Sequence, residues 1–302
     1  MMAPNAQRLY AEIIGDLEEF EAYLATLRLR RAPDRLRAIT TKLKEIEVAR
    51  IQNQLPSLNK RPDVAELVWS LVEGQEFAEI FRGIRDYDPA TIKRLMQKAL
   101  KGPLHPNEET GASNIGRNTV FELRLGAGLR RAGAKVGLGQ QADLLLDHAG
   151  AHIYIECKRP LYERSIRRNV IKARTRLRKR FDSDPHRTTV GLVAISLSKA
   201  VNPGSRMFIA HEADALRRLA NDVNHLHQQY SNDYDRLIDT RLIGILYHLY
   251  TPALVSGNGL TAASQVDIFL DGPSMRAMFP VSDGEPLKEL LFSALHHHGP
   301  SV

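Results

Sequence analysis

The chain of 302 residues contains a single cysteine, Cys157. One cysteine cannot form an internal disulfide or build a thiolate zinc site, and its scarcity fits a reducing compartment. Cys157 alternates with polar neighbours in a predicted strand, so we expect its side chain to point into the core rather than to act as a catalytic thiol. The cysteine content therefore excludes a disulfide framework.

Long apolar runs are also missing. The stretch LIGILYHLY (242–250) falls well short of the ~20 residues that a membrane-spanning helix needs. The N-terminal residues lack a basic region followed by an apolar core, so we expect no secretory signal, no membrane partner and a cytoplasmic protein. The sequence has no Walker loop, no GxGxxG after a strand and no GxSxG elbow, which leaves nucleotide hydrolysis and serine-hydrolase chemistry without support.

Positive charge is concentrated in one segment. Residues 161–181 hold nine Arg or Lys and one Glu, a net of +8 in a chain of net +7, so the other 281 residues carry −1. Ile166, Val170, Ala173 and Leu177 form one apolar stripe at helical spacing, and basic side chains fill the rest of the circumference.

A helix surface of one sign favours contact with phosphate, so we predict that this helix binds nucleic acid, most simply DNA. An amphipathic helix on a membrane surface is a weaker alternative, because the apolar stripe is narrow. The predicted nucleic-acid-binding residues are Arg164, Arg167, Arg168, Lys172, Arg174, Arg176, Arg178 and Lys179.

The periodicity divides the chain into three parts. Residues 1–100 repeat apolar positions every three or four residues and predict an all-helical N-terminal unit, which is a candidate homodimer surface. Residues 101–116, rich in Gly, Pro, Asn and Ser, predict a linker. Residues 117–302 predict an α/β domain with a mixed sheet flanked by helices. Its expected elements are helices over 117–133, 161–181 and 205–229 and strands over 134–139, 142–147, 152–158, 189–197, 242–250 and 265–270.

Two of these strands form a predicted hairpin whose register brings charged residues together. A turn centred on residues 149 and 150 pairs positions whose numbers sum to 299, so Asp143 faces Glu156. Two opposed carboxylates are close enough to hold one cation. Lys158 lies two residues after Glu156 and shares its face of the sheet.

A third acid comes from the preceding helix. Glu122, Leu125, Gly126 and Leu129 follow the spacing of a buried stripe, whereas Arg124 falls on the opposite side. A carboxylate on an inward face is costly unless it is paired or bound to metal. Glu122 is therefore a candidate partner of the hairpin acids.

The order helix with Glu122, strand, Asp143, turn, Glu156-Cys157-Lys158, basic helix resembles the PD-(D/E)xK nuclease superfamily. The resemblance covers roughly residues 117 to 270 and implies a restriction-endonuclease-like fold. Ala142 stands where the family name has proline, and the resemblance does not explain the first hundred residues.

The resemblance implies a metal-dependent nuclease, an endonuclease-type hydrolase of DNA in defence or DNA processing. It implies that Asp143 and Glu156 ligate Mg²⁺ or Mn²⁺, with the Cys157 carbonyl and Glu122 as further ligands or supporting groups. Lys158 is then expected to orient the attacking water and to offset charge on the phosphate. Hard carboxylate oxygens suit Mg²⁺, and a lysine supplies a compact positive charge.

Three alternatives remain open. Asp143, Glu156 and Lys158 could form a cross-strand charge cluster on a half-exposed hairpin, which contributes little to stability. The domain could be a nuclease-fold binding module without activity. The N-terminal helices could be the functional part of an interaction protein, with the α/β domain as its scaffold.

Overall fold

The computed structural model of the chain describes residues 4–29, 33–58, 60–103, 105, 108–111, 113–139, 142–184, 189–202, 208–210, 221, 225, 241–255, 259–270 and 285–295. Within these residues five helices form the N-terminal part of the chain: α1 Pro4–Thr26, α2 Pro33–Ile51, α3 Leu55–Leu58, α4 Val64–Ile84 and α5 Pro89–Ala99. The later helices are α6 Ile115–Arg131, α7 Ile166–Ser183, α8 Ser198–Val201 and α9 Glu285–Leu295. In this described part of the chain, no helix has the length and apolar character needed to cross a membrane.

The described strands form one mixed sheet. They are β1 Lys135–Leu138, β2 Leu144–His148, β3 Ala151–Lys158, β4 Thr189–Ser196, β5 Phe208–Ala210, β6 Leu242–Val255 and β7 Gly259–Leu270. The order across the sheet is β1-β2-β3-β4-β6-β5, with β7 also paired to β6. β1, β2 and β3 are antiparallel, whereas β3, β4 and β6 run parallel. The predicted α/β architecture, helices first and a mixed sheet after, is confirmed.

β4 lies between β3 and β6 in the middle of this sheet, and all eight of its residues are buried. A strand covered on both faces is apolar without alternation, and this explains the consecutive apolar residues that predicted it. The predicted helix over 205–229 is wrong at 208–210, which pair with residues 253–255 as strand β5. A short apolar run does not by itself distinguish helix from strand. Most of the remainder of that predicted helix lies outside the described residues.

The two faces of the sheet carry separate apolar clusters. One cluster runs from Leu17 and Phe77 in the N-terminal helices through Leu125 of α6 to Leu146 and Ile155 of the sheet. The other cluster joins the apolar stripe of α7 to the opposite face of β3, β4 and β6. The N-terminal helices and the sheet therefore share one packed core. This core contains residues from both sides of the predicted linker, residues 101–116.

Buried ion pairs connect the N-terminal helices to α6. Glu73 of α4 accepts hydrogen bonds from Arg35 of α2 at 3.2 Å and from Arg117 of α6 at 2.6 Å, and all three side chains are buried. Burial raises the pKa of Glu73, but the two arginines more than reverse this effect and leave the pKa lowered. One carboxylate thus links α2, α4 and α6.

Arg124 is the clearest departure from the expected helix faces. It lies opposite the stripe of α6, as predicted, but that side packs on α4 and β6 and leaves Arg124 only 1% exposed. Its guanidinium pairs with Glu79 at 3.1 Å and lies 3.9 Å from the ring centre of Tyr250. Periodicity identifies the two faces of a helix, but it does not reveal that both are covered.

We predict that Glu73→Ala lowers the free energy of unfolding by about 3–5 kcal/mol, because it leaves two buried arginines without their shared carboxylate. Urea unfolding followed by circular dichroism measures the change. The matched control is Glu18→Ala, which removes a carboxylate from an exposed pair with Lys44 and should change stability by less than about 1 kcal/mol. Equal losses of unfolding free energy in the two variants would show that the buried ion pairs of Glu73 stabilise the fold no more than an exposed pair does.

Candidate active site

The β2–β3 hairpin has the predicted register. Leu144 pairs with Ile155 and Asp147 with His152, so paired numbers sum to 299. Ala149 and Gly150 form the turn with φ of 50° and 78°, the left-handed pair of a tight hairpin turn. Because β2 begins at Leu144, the preceding Asp143 comes beside the end of β3.

Asp143 is fixed to β3 by a backbone hydrogen bond. The N–H of Cys157 donates to Asp143 Oδ2 at 2.8 Å, just beyond the last backbone pair of the hairpin. The side chain of Cys157 points to the other face and is buried, as predicted. Burial raises the pKa of its thiol well above the ordinary value, so Cys157 contributes backbone atoms to the site rather than a thiolate.

Lys158 lies at the centre of the group. Its ammonium donates to Glu156 Oε2 at 2.8 Å, to the Cys157 carbonyl at 2.8 Å and to Asp143 Oδ2 at 3.4 Å. These oxygen atoms belong to three of the groups that the nuclease resemblance assigns to a metal ion. The structure therefore brings Asp143, Glu156, Cys157 and Lys158 together around one positive charge.

Glu156 is fully buried, at 0% exposure. In addition to Lys158, two arginines of α7 reach its carboxylate: Arg180 donates to Oε1 at 2.9 and 3.3 Å, and Arg176 donates to Oε2 at 3.5 Å. An ionised carboxylate removed from water needs such partners. The alternative of a half-exposed surface charge cluster does not fit this burial.

Glu122 stands at the margin of the group. α6 approaches β1 and β2 closely at Gly126, where a Cβ would lie 2.6 Å from Leu138 and 2.9 Å from Leu144, and Glu122 is one turn earlier. Burial raises the pKa of Glu122 to about 8, and the negative charge of Asp143 adds to this effect. Among the described residues no hydrogen bond joins Glu122 to Asp143 or Lys158.

Burial also raises the pKa of Asp143. The positive charge of Lys158 and the hydrogen bond from Cys157 oppose this rise, whereas the charge of Glu156 adds to it. Both Asp143 and Glu122 therefore hold protons more tightly than ordinary carboxyls. A cation placed near them would favour their ionised forms.

The donor set can be tested for its fit to a divalent ion. In the described ranges no three His, Cys, Asp or Glu side chains are arranged to hold a metal. The group around Lys158 instead offers two carboxylates and one backbone carbonyl. Mg²⁺ is usually held by one or two carboxylates together with water and substrate phosphates, so these oxygens fit it without a third acidic side chain.

The predicted nucleic-acid-binding residues lie on α7 and the turn before it. The direction of each residue is given relative to the buried stripe of α7, which consists of Ile166, Val170, Ala173, Leu177 and Phe181. Arg174 is half-buried, and the other seven are exposed: Arg164, Arg167, Arg168, Lys172, Arg176, Arg178 and Lys179. Arg168, Lys172 and Lys179 point away from the buried stripe at 100° per residue, whereas Arg176 flanks it.

The sequence-based prediction missed Arg180 and the second role of Arg176. Both residues were visible as part of the basic segment, four positions apart on one flank of the apolar stripe. The signal that would have found them is the inward position of Glu156, because a buried carboxylate requires cations from the element packed over it.

Comparison with protein-family models, with curated proteins and with solved structures finds no match for this chain. The resemblance to PD-(D/E)xK nucleases thus depends on the residues and on the order of the elements that carry them.

The raised pKa of Glu122 generates a prediction about stability. Its folded pKa of about 8 lies above the ordinary value of 4.5, so its protonated form contributes stability that is complete below pH 4.5 and is lost as the pH rises through 8. We expect Glu122→Gln, measured in EDTA, to lose less stability than the native protein between pH 5 and about 9. Urea unfolding at several pH values gives the difference, and parallel curves would contradict the raised pKa.

Proposed function

We propose that this protein is a metal-dependent nuclease of the PD-(D/E)xK type that hydrolyses phosphodiester bonds of DNA. One observation carries the proposal: the ammonium of Lys158 is held among the Asp143 carboxylate, the Glu156 carboxylate and the Cys157 carbonyl. The element order that supports the resemblance is also present, since α6, β1, β2, β3, α7 and β4 follow one another along the chain.

Asp143, Glu156 and the Cys157 carbonyl would hold Mg²⁺ or Mn²⁺, with Glu122 as a supporting acid. The bound ion would lower the pKa of a water molecule and offset negative charge on the reacting phosphate. Asp143 is suited to this role because the Cys157 N–H fixes one of its oxygens.

The chain's own cations add positive charge to the site. Lys158, Arg176 and Arg180 bring three positive charges to the site, against the two carboxylates of Asp143 and Glu156. These cationic side chains attract an anionic substrate, and Lys158 is placed to stabilise charge developing on it.

The basic helix α7 extends this positive charge across the surface. Exposed Arg168, Lys172 and Lys179 lie on the side away from the sheet, so a nucleic-acid backbone can contact them without displacing the packed stripe. This arrangement supports DNA as the partner. A homodimer through α1–α5 and a cytoplasmic location stay predictions.

A binding module without activity is the second candidate function. The engagement of both Glu156 oxygens by arginines favours it, because these contacts occupy a carboxylate that a metal would need. Cleavage with divalent ions distinguishes the two candidates.

We expect the protein to cleave DNA in Mg²⁺ or Mn²⁺, and Asp143→Asn, Glu156→Gln and Lys158→Gln each to lower the cleavage rate by at least about 100-fold. Assays on supercoiled plasmid, linear duplex and single strands measure the rate, and circular dichroism verifies the fold.

The control for these variants is Asp147→Asn on the same hairpin. Asp147 pairs with His152 and Lys135 and takes no part in the group around Lys158, so this variant should cleave at the native rate. Native rates in folded Asp143→Asn or Glu156→Gln would remove the nuclease assignment. DNA binding without cleavage in any divalent ion would favour the inactive module.

A second expectation concerns salt. Replacing Arg168, Lys172 and Lys179 together by Gln should flatten the dependence of log affinity on log salt by up to ~0.9 for each lost duplex phosphate contact. The matched control replaces exposed Lys44, Lys60 and Arg85 in the first hundred residues, which removes the same charge elsewhere. Fluorescence anisotropy with labelled DNA in EDTA measures both slopes. A change only in the control would place the binding surface on the N-terminal helices.

A further inference from the structure

The two oxygens of Glu156 have different partners. Oε1 accepts from Arg180 alone among the described side chains, through Nη2 at 2.9 Å and Nε at 3.3 Å. Oε2 accepts from Lys158 at 2.8 Å and lies 3.5 Å from Arg176. The oxygen that faces the cation position is therefore distinct from the oxygen that Arg180 holds.

Arg180 and Arg176 also differ in their surroundings. Arg180 is 29% exposed and directs two N–H groups to one oxygen, whereas Arg176 is 61% exposed and makes one long contact. A planar guanidinium that uses two donors fixes the direction of its partner better than a single long contact does. Arg180 is thus the more effective of the two in orienting Glu156.

The end of α7 that carries Arg180 is held firmly. Leu177 and Phe181 pack against β4 at Gly191, where a Cβ would lie 2.9 Å and 2.8 Å from these two side chains. Arg241 lies 4.4 Å from the ring centre of Phe181 and donates to its carbonyl oxygen at 3.1 Å. Arg180 therefore projects from a fixed backbone position toward β3.

We propose that Arg180 is a positioning residue of the candidate active site: by binding Oε1 of Glu156, it keeps Oε2 directed toward the cation position that Lys158 marks. Arg176 does not share this role. The inference rests on the proposed nuclease function, and it concerns a residue outside the acidic and lysine positions that the resemblance supplies.

The sign of the effect separates positioning from simple charge. A guanidinium near a divalent ion repels it, so loss of Arg180 would tighten Mn²⁺ binding if charge alone mattered. If Arg180 orients the ligand, its loss weakens Mn²⁺ binding, and partners of metal ligands typically contribute a factor of about 10–100 in affinity. The two explanations predict opposite changes.

The experiment titrates the full chain with Mn²⁺ by isothermal calorimetry, without DNA. We expect Arg180→Gln to raise the Mn²⁺ dissociation constant about 10- to 100-fold. Arg176→Gln removes the same charge from the same helix and the same carboxylate, and should bind Mn²⁺ as tightly as the native protein or more tightly. Arg180→Lys, which keeps the charge but loses the two-donor contact, should fall between native and Arg180→Gln.

Cleavage assays over a range of Mn²⁺ concentrations add a second measurement. The concentration that gives half-maximal rate should rise in Arg180→Gln, and excess Mn²⁺ should restore most of the native rate. A variant that is merely less stable would show a lower melting temperature without this shift in metal dependence.

Each other outcome overturns the inference. Unchanged or tighter Mn²⁺ binding by Arg180→Gln removes the positioning role, and so does equal weakening of Mn²⁺ binding by Arg176→Gln. In either case, metal-dependent cleavage by the native protein still supports the nuclease function. If Arg180→Gln does not fold, Arg180→Lys decides in the same way, since native affinity in that variant contradicts positioning. A native protein that neither binds Mn²⁺ nor cleaves DNA overturns the proposed function and this inference together.

Discussion

The burial of one carboxylate, Glu156, sets the arrangement of its surroundings. A carboxylate without contact to water requires positive charge within hydrogen-bonding distance. Lys158 supplies it from the same strand, and Arg176 and Arg180 supply it from α7. The orientation of the basic helix on the sheet is thus linked to the site, because turning its arginines away would leave Glu156 buried and uncompensated.

Much of this arrangement could be predicted because it depends on local geometry. The period of two in a strand and the length of a tight turn fix the hairpin register, and the register brings Asp143 to the end of β3 beside Glu156. The apolar stripe of α7 likewise follows from its spacing. Such features need no knowledge of which elements become neighbours.

The missed features depend on contacts between elements far apart in the chain. Arg180 and Glu156 are separated by 24 positions, and Arg124 and Glu79 by 45. Spacing within one helix assigns these residues to a face but does not identify what covers it. Glu122 shows the same limit: its inward direction could be predicted, but its separation from the hydrogen-bonded group could not.

The Arg159 side chain joins the end of β3 to the predicted linker, residues 101–116. Arg159 follows Lys158 directly and donates to both oxygens of Glu109 at 2.9 and 2.8 Å, in a buried pair. Glu109 in turn lies 3.7 Å from Arg117 at the start of α6. A fragment beginning at α6 would lack Glu109 and leave Arg159 buried without its carboxylate, next to the candidate site. The α/β part consequently depends on the segment before α6. A fragment of this part transferred to another protein would have to include Glu109 and the residues that connect it to α6.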